Sequence, residues 1–335
     1  MRRLFAFPLI MLCLILTSSK AQAQVPDFSL GINPPIIEIE ATPPTHAQAN
    51  ITLYNLNSVP HDLRIELRSF KFSDKKNGEI EYLEGNAIQG PDALIFQKIV
   101  IFEEDQNIYG AQNAPKTFKI GPNEIKKLRL VVNIEDGAPI GDYYFSVIFI
   151  SNDNNSIQSS GSTAPSGIAT NVILSVGEKG EPNGEITSFK SPFFFDQGPV
   201  PFTLLLSNKS DHFVVPRGKI DIKNIFGKTV GEINILPQYI LSNSSRFMLN
   251  TDQASPSSAL QDTLGKLKPK TNILVWNEKY LFGLYTAKVT VALSETGPIL
   301  TSSSAFIAFP ISYVVAFAFI VLIMAGIYLR VKKKI

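Results

Sequence analysis

From Ala305 to Leu329 the chain reads AFIAFPISYVVAFAFIVLIMAGIYL without one charged residue, and Arg330, Lys332, Lys333 and Lys334 follow at once. As a helix rising 1.5 Å per residue, about 25 residues cover about 37 Å. That exceeds the ~30 Å hydrocarbon core, so the run predicts a single, somewhat tilted membrane span. Pro310 falls near the first turn, where a missing N–H has no helical partner to lose. A buried core helix is the competing reading, but such helices are shorter. The basic cluster behind the run puts the C-terminus on the cytoplasmic side and the rest of the chain outside.

The front of the chain agrees with export. Arg2 and Arg3 precede the apolar stretch Leu4 to Thr17, and Ala21-Gln22-Ala23 supplies small residues for cleavage after Ala23, so residues 1–23 read as a secretory signal peptide. The single cysteine, Cys13, lies inside that leader, so the mature chain is expected to hold neither disulfides nor cysteine chemistry. Of 31 basic residues, three lie in the leader (Arg2, Arg3, Lys20) and four in the tail. The exported part therefore keeps 24 against 29 acidic residues, about −5 net, although the whole chain is formally +2. A scattered acidic surface excludes nucleic acid as a partner, which needs a clustered basic face.

Between these ends the pattern is short β-branched runs at period two, cut by Pro, Gly, Asn and Ser. Examples are Ile36 to Glu40, Asn50 to Asn55 (NITLYN), Leu63 to Phe72, Lys127 to Val132 and Asp142 to Ser151 (DYYFSVIFIS). The one helical candidate is Ala259 to Leu267. The fold expected is all-β: two tandem immunoglobulin-like β-sandwich domains followed by one transmembrane α-helix. The first domain is placed at 27–176, a linker at 177–184, the second domain at 185–304, the span at 305–329 and the basic cytoplasmic tail at 330–335. The polar stretch Ser151 to Gly167 reads as an exposed hairpin loop, its Asp153, Asn154 and Asn155 fitting no calcium-loop spacing. Each domain sets a Gly-x-Tyr before a late strand, Gly141-Asp142-Tyr143 and Gly283-Leu284-Tyr285, the placement of a tyrosine corner.

The order leader, sandwich, sandwich, span and lysine-rich tail resembles the WxL-interacting surface proteins of Gram-positive bacteria. The likeness is carried by Asn50 to Asn55, the hairpin Phe72 to Tyr82 (FKFSDKKNGEIEY), Gly121 to Gly141, Ile240 to Phe247 (ILSNSSRF) and Phe282 to Val291 (FGLYTAKVTV). It departs at Tyr143-Tyr144-Phe145, where that family would place a Gly-Gly-rich strand. The resemblance implies Ig-like domains, the first associated with peptidoglycan and the second with surface partners, and it transfers no binding residue. The Pro-rich start and early strands also resemble pilus-assembly chaperones, which need a basic cleft between their domains.

Chemistry is sparse. His46, His61 and His212 sit in expected turns without metal-ligand spacing, and no nucleophile elbow or phosphate loop occurs. Neither a cofactor nor a metal is expected, and an enzyme is not the reading. Phe193, Phe194 and Phe195 are consecutive, so in a strand at least one ring turns away from its own core, toward the neighbouring domain or a partner. Trp276, the only tryptophan, is a core residue, a ligand platform or a membrane-facing anchor. Leu293 to Gly297 (LSETG) differs from a sortase signal only at Ser294, against a hairpin-turn reading of the same residues. The chain is thus expected to be a membrane-anchored surface protein that binds wall polymer or another surface protein as adhesin or scaffold. A membrane-tethered chaperone-like assembly factor is the alternative.

Overall fold

The computed structural model describes residues 29–83, 91–110, 117–152, 166–250, 273–295 and 297–332, and within its helices the side chains of 91–93, 316 and 326–332 are not among them. The leader with Ala23, the residues Asp153 to Asn155, the stretch Ala259 to Leu267 and the tail residues Lys333 and Lys334 lie outside the described residues.

The first sandwich holds β1 (Leu30–Asn33), β2 (Ile36–Ala41), β3 (Thr45–Asn55), β4 (His61–Phe72), β5 (Ile80–Tyr82), the short α1 (Pro91–Phe96), β6 (Ile99–Glu103), β7 (Gln106–Tyr109), β8 (Phe118–Ile120), β9 (Ile125–Ile134), β10 (Gly141–Ser151) and β11 (Gly167–Val176). One sheet runs β1-β3-β9-β6-β7 and the other β2-β11-β10-β4-β5, with β8 also on β4. Alternation builds the core: Ile51 and Leu53 of β3, Leu128, Leu130 and Val132 of β9, and Phe145, Val147 and Phe149 of β10 all turn inward and are buried. The chain changes sheets between β1 and β2, where Pro34 and Pro35 offer no N–H to a ladder. β1 pairs antiparallel with β3, whereas β2 pairs parallel with β11.

The second sandwich holds β12 (Gly184–Lys190), β13 (Phe194–Phe195), β14 (Val200–Asn208), β15 (Arg217–Asn224), β16 (Thr229–Ile235), β17 (Ser245–Phe247), β18 (Leu274–Trp276), β19 (Gly283–Ala292) and β20 (Ile299–Ala308). Its sheets are β12-β14-β17, with β18 on β14, and β13-β20-β19-β15-β16. Leu293 is buried and its amide bonds the Pro298 carbonyl at 3.3 Å, so the LSETG stretch, apart from Thr296, which is not described, is a hairpin turn between β19 and β20. A sortase would find its leucine inside a core.

The apolar run at the C-terminus is two elements. Residues up to Ala308 belong to β20, which pairs with β19 from Ala292↔Ile299 to Gly283↔Ala308, and Phe306 is only 1% exposed. The second domain's last strand thus extends to Ala308 rather than 304, and the stretch expected to be one helix at 305–329 is strand at its start. The helix α2 runs Ile311–Lys332, 22 residues, with Pro310 just ahead of it accepting from the Val314 amide at 3.2 Å. Counted over the described residues alone, no helix is long and apolar enough to cross a membrane.

Two buried asparagines do the same work in the two domains. Asn55 ends β3, accepts from the Asn57 amide and donates to the Val59 carbonyl. Asn208 ends β14, accepts from the Ser210 amide and donates to the His212 carbonyl. Each closes the turn that leaves its strand with an Asx-type bond. The tyrosine corners are present as well. Tyr143 Oη donates to the Pro139 carbonyl at 2.7 Å, and Tyr285 Oη donates to the Phe282 carbonyl at 3.2 Å. Tyr143→Phe keeps the ring in the core and deletes only that bond. It should lower stability to chemical denaturation by about 0.5–1.5 kcal/mol, and no measurable change would remove the corner as a stabilising element.

Candidate functional site

The most ordered chemistry lies where the two sandwiches meet. Asp142, the second residue of β10, has a side chain with no solvent exposure. Its Oδ2 accepts from Tyr144 Oη at 2.7 Å and from the Phe213 amide at 2.5 Å, while Oδ1 accepts from Ser175 Oγ at 2.5 Å and meets His212 Nδ1 at 2.7 Å. Phe213 and His212 belong to the second sandwich, so one carboxylate ties both. Tyr144 Oη also accepts from the Ser242 amide at 3.0 Å, and burial together with the charge of Asp142 pushes its phenol well above the usual range.

Further bonds reinforce this junction. The Phe247 amide donates to the Lys76 carbonyl at 2.8 Å, extending the β17 edge onto the β4–β5 turn. Arg246 lies over the Phe72 ring at 5.2 Å and donates to the Tyr239 carbonyl at 2.8 Å; its guanidinium is shifted down by burial. Gly78 in that turn has φ +80, a conformation that favours glycine, and a Cβ there would push the Arg246 guanidinium aside. Burial and a hydrogen bond to Glu38 push the Tyr239 phenol up to about 12. The segment 177–184 is correspondingly a packed connector: Lys179 Nζ sits 3.9 Å over the Phe213 ring and 2.5 Å from Glu40, and the Asn183 amide donates to Ser210 Oγ.

His212 is therefore buried at a domain junction rather than solvated in a turn, and His61 is buried too, 3.2 Å from Asn57 Nδ2. Only His46 is exposed, beside Asn133. Beside the junction opens a cleft of about 940 Å³ lined by Glu38, Ile140, Lys179, Lys209, His212 and Arg217 among others. Each lysine or arginine of the lining meets a carboxylate: Lys179 with Glu40, Lys209 with Glu185, and Arg217 with Glu295 at 3.6 Å. The cleft therefore presents paired charges rather than a clustered basic face. Among the described residues, no group of His, Cys, Asp and Glu could hold a metal ion.

The residues singled out for binding fall in two places. Trp276 is buried against Tyr285 and Phe306 in the second core, and a Cβ on Gly231 would collide with its indole nitrogen. It presents no face to a ligand or a membrane. The three phenylalanines divide: Phe195 packs edge-on against Phe306 at 5.5 Å, while Phe193 and Phe194 are exposed. They sit beside the root of α2, because the Ile307 and Phe309 amides donate to the Phe193 and Phe195 carbonyls.

Asp196, the next residue, caps that helix: its carboxylate accepts from the Ser312 hydroxyl at 2.5 Å and from the Ser312 amide at 3.0 Å. These bonds hold its carboxyl below the ordinary aspartate value. A lowered folded-state value means the contribution is present above the ordinary carboxylate value and is lost as pH falls through the lower, folded one. The first turn of α2 should accordingly fray on acidification through that window. A Ser312 amide resonance insensitive to pH there would refute the cap.

No family model matches the chain, and no curated protein does. Among solved structures, the class 5 fimbriae chaperone CfaA is similar at TM-score 0.39 with 10% identity, over 82% of this chain and 99% of that one. The E. coli chaperone DraB gives TM-score 0.34 and 12% identity over 82% and 96%. A PapD-like domain of human CEP192 gives 0.29 and 11% over 48% and 94%. Likenesses this distant carry no argument about what the chain does.

Proposed function

We propose that this chain is a membrane-tethered, non-enzymatic binding protein. In this reading α2 crosses the bilayer with Arg330 and the lysines behind it on the cytoplasmic side. The two sandwiches stand outside and engage another surface protein, as a scaffold or as an assembly factor for surface subunits. The observation that carries the tether is the state of α2: its large apolar side chains described from Ile311 to Met324 are all exposed, and its backbone, once 326–332 are counted with the described side chains, runs 22 residues or about 33 Å against the ~30 Å hydrocarbon core. An uncovered apolar helix of that length is stable in lipid and a liability in water.

A protein partner is favoured over a small molecule by what the surface offers. The cleft holds paired charges, whereas several strands stand at sheet edges among the described residues, including β11 at 167–169, ahead of its pairing with β2, and β16 at 229–234, paired only with β15. Open edges accept an added strand through main-chain bonds. The resemblance to WxL-interacting proteins would make the partner a surface protein or wall polymer.

The test is a photoreactive side chain at Ile168 or Val230 in the full-length chain, in membranes of producing cells, with Ile125 as control. Discrete protein adducts at Ile168 or Val230, in membranes from which alkaline carbonate does not extract the chain, support the reading. Release by carbonate would remove the tether. Absence of adducts combined with saturable pelleting on purified wall sacculi would replace the protein partner with wall polymer.

A further inference from the structure

The register of the second sandwich gathers four turns at one end. Phe195 lies opposite Ala308 in a parallel pair, Ala308 opposite Gly283, and Tyr285 opposite Asn224, so the segments after β13, after β15, before β19 and after β20 all leave the sheet together, with Phe193 two residues inside that end. Their apolar side chains point out of the core. Phe226 is 89% exposed, Tyr280 72%, Phe282 71%, Phe193 68% and Ile225 65%, and the exposed Phe309 ring lies 5.4 Å from that of Phe282. Each of these turns could carry polar residues at no cost to the fold; instead they carry exposed aromatic and aliphatic side chains.

This is also the end from which α2 departs. Only Phe309 and Pro310 separate β20 from the helix, and two residues span at most about 7 Å. The headgroup layer on each side of a bilayer is about 5–8 Å thick, the difference between its total and hydrocarbon dimensions divided over two leaflets. The Asp196 cap on Ser312 further fixes the helix to this end of the domain. Lys223, Lys228 and Lys279 are exposed on the same rim, with Lys279 Nζ 5.4 Å from the Tyr280 ring centre, and Glu278 is the exposed acid beside them.

We propose that this rim is a lipid-facing surface: Phe193, Ile225, Phe226, Tyr280, Phe282 and Phe309 seat the second sandwich in the headgroup layer around the root of α2. The proposal rests on the tether described above and adds to it an orientation. Aromatic rings with a polar edge or a neighbouring ammonium are at their most stable at that depth, where one side is apolar and the other wet. The body is then held upright at its base, with the junction to the first sandwich, at the Arg217 and Leu293 end of the same sheet, carried away from the bilayer. A second copy of the chain is the competing occupant of the rim, and the short connection to α2 favours lipid, because a protein filling the rim would have to enter the headgroup layer itself.

The test uses the full-length chain with Cys13→Ser, which removes its only cysteine, in phosphatidylcholine nanodiscs. A nitroxide is attached in turn at Phe226→Cys, Phe282→Cys, Leu322→Cys near the middle of α2, and Ile125→Cys on the first sandwich. Accessibility to dissolved oxygen and to a water-soluble nickel chelate is compared. The expected result is an oxygen-to-nickel ratio at 226 and 282 several-fold above that at 125 and below that at 322. Equal ratios at 226, 282 and 125, with 322 still lipid-exposed, overturn the rim and leave the tether. Water access at 322 overturns both. Loss of access to both reagents at 226 and 282 also overturns the proposal, in favour of a second copy.

Discussion

Asp142→Ala should lower stability by about 3–5 kcal/mol and separate the unfolding of the two sandwiches. The carboxylate is wholly buried and receives bonds from Tyr144, Ser175 and the Phe213 amide besides its contact with His212. Deleting it does not expose those donors to water; it leaves them buried without an acceptor, and each such group costs about 1–3 kcal/mol. Two of the partners belong to the other domain, so the loss falls on the junction as well as on β10. Denaturant unfolding in mild detergent should show one transition in the parent chain and two in the variant. Limited proteolysis within 177–184 should become faster. Asp142→Asn preserves volume and one oxygen but presents an amide donor to groups that already donate, so it should lose roughly half as much. A change under about 0.5 kcal/mol with a single transition retained, the size expected of an ordinary surface site, would show that the junction is held elsewhere.

Nothing in the residues around Asp142 announces this role. An Asp between Gly and Tyr before a strand reads as a turn residue, and its partners at 212 and 213 lie about 70 positions away. His212 has the same problem in reverse: among Lys209, Ser210 and Asp211 it looks solvated, and only the approach of β10 from the other domain buries it. Local patterns, by contrast, survive translation into structure. Period-two alternation in NITLYN and DYYFSVIFIS places Ile51, Leu53, Phe145 and Phe149 inward, and the Gly-x-Tyr spacing places both tyrosine hydroxyls on carbonyls a few residues upstream. The sandwiches are legible because their signal is short-ranged, and the junction is not because it is made of single contacts between distant segments.

The C-terminal run shows a different limit, and it yields the second large effect. A count of apolar residues cannot separate a buried strand from an exposed apolar helix when one follows the other without a polar break, as at 305–329. The distinguishing sign is Ser302, Ser303 and Ser304 just before it, which together with Phe306 and Ala308 continue an in-and-out alternation along β20 that α2 does not share. Phe306 lies at the middle of an aromatic cluster, with Phe195 at 5.5 Å, Phe202 at 5.9 Å, Tyr285 at 5.2 Å and Trp276 at 6.4 Å. Phe306→Ala should therefore cost about 3–5 kcal/mol in the second sandwich, with the larger figure if the four rings cannot close over the gap. The buried Trp276 offers the readout, since loosening this cluster should shift its emission to longer wavelength and lower the midpoint of denaturation. Phe317→Ala, on the exposed face of α2, should leave both unchanged. If residue 306 were instead part of a membrane span, the two variants would behave alike, neither would disturb Trp276, and the strand register of β20 would have to be abandoned.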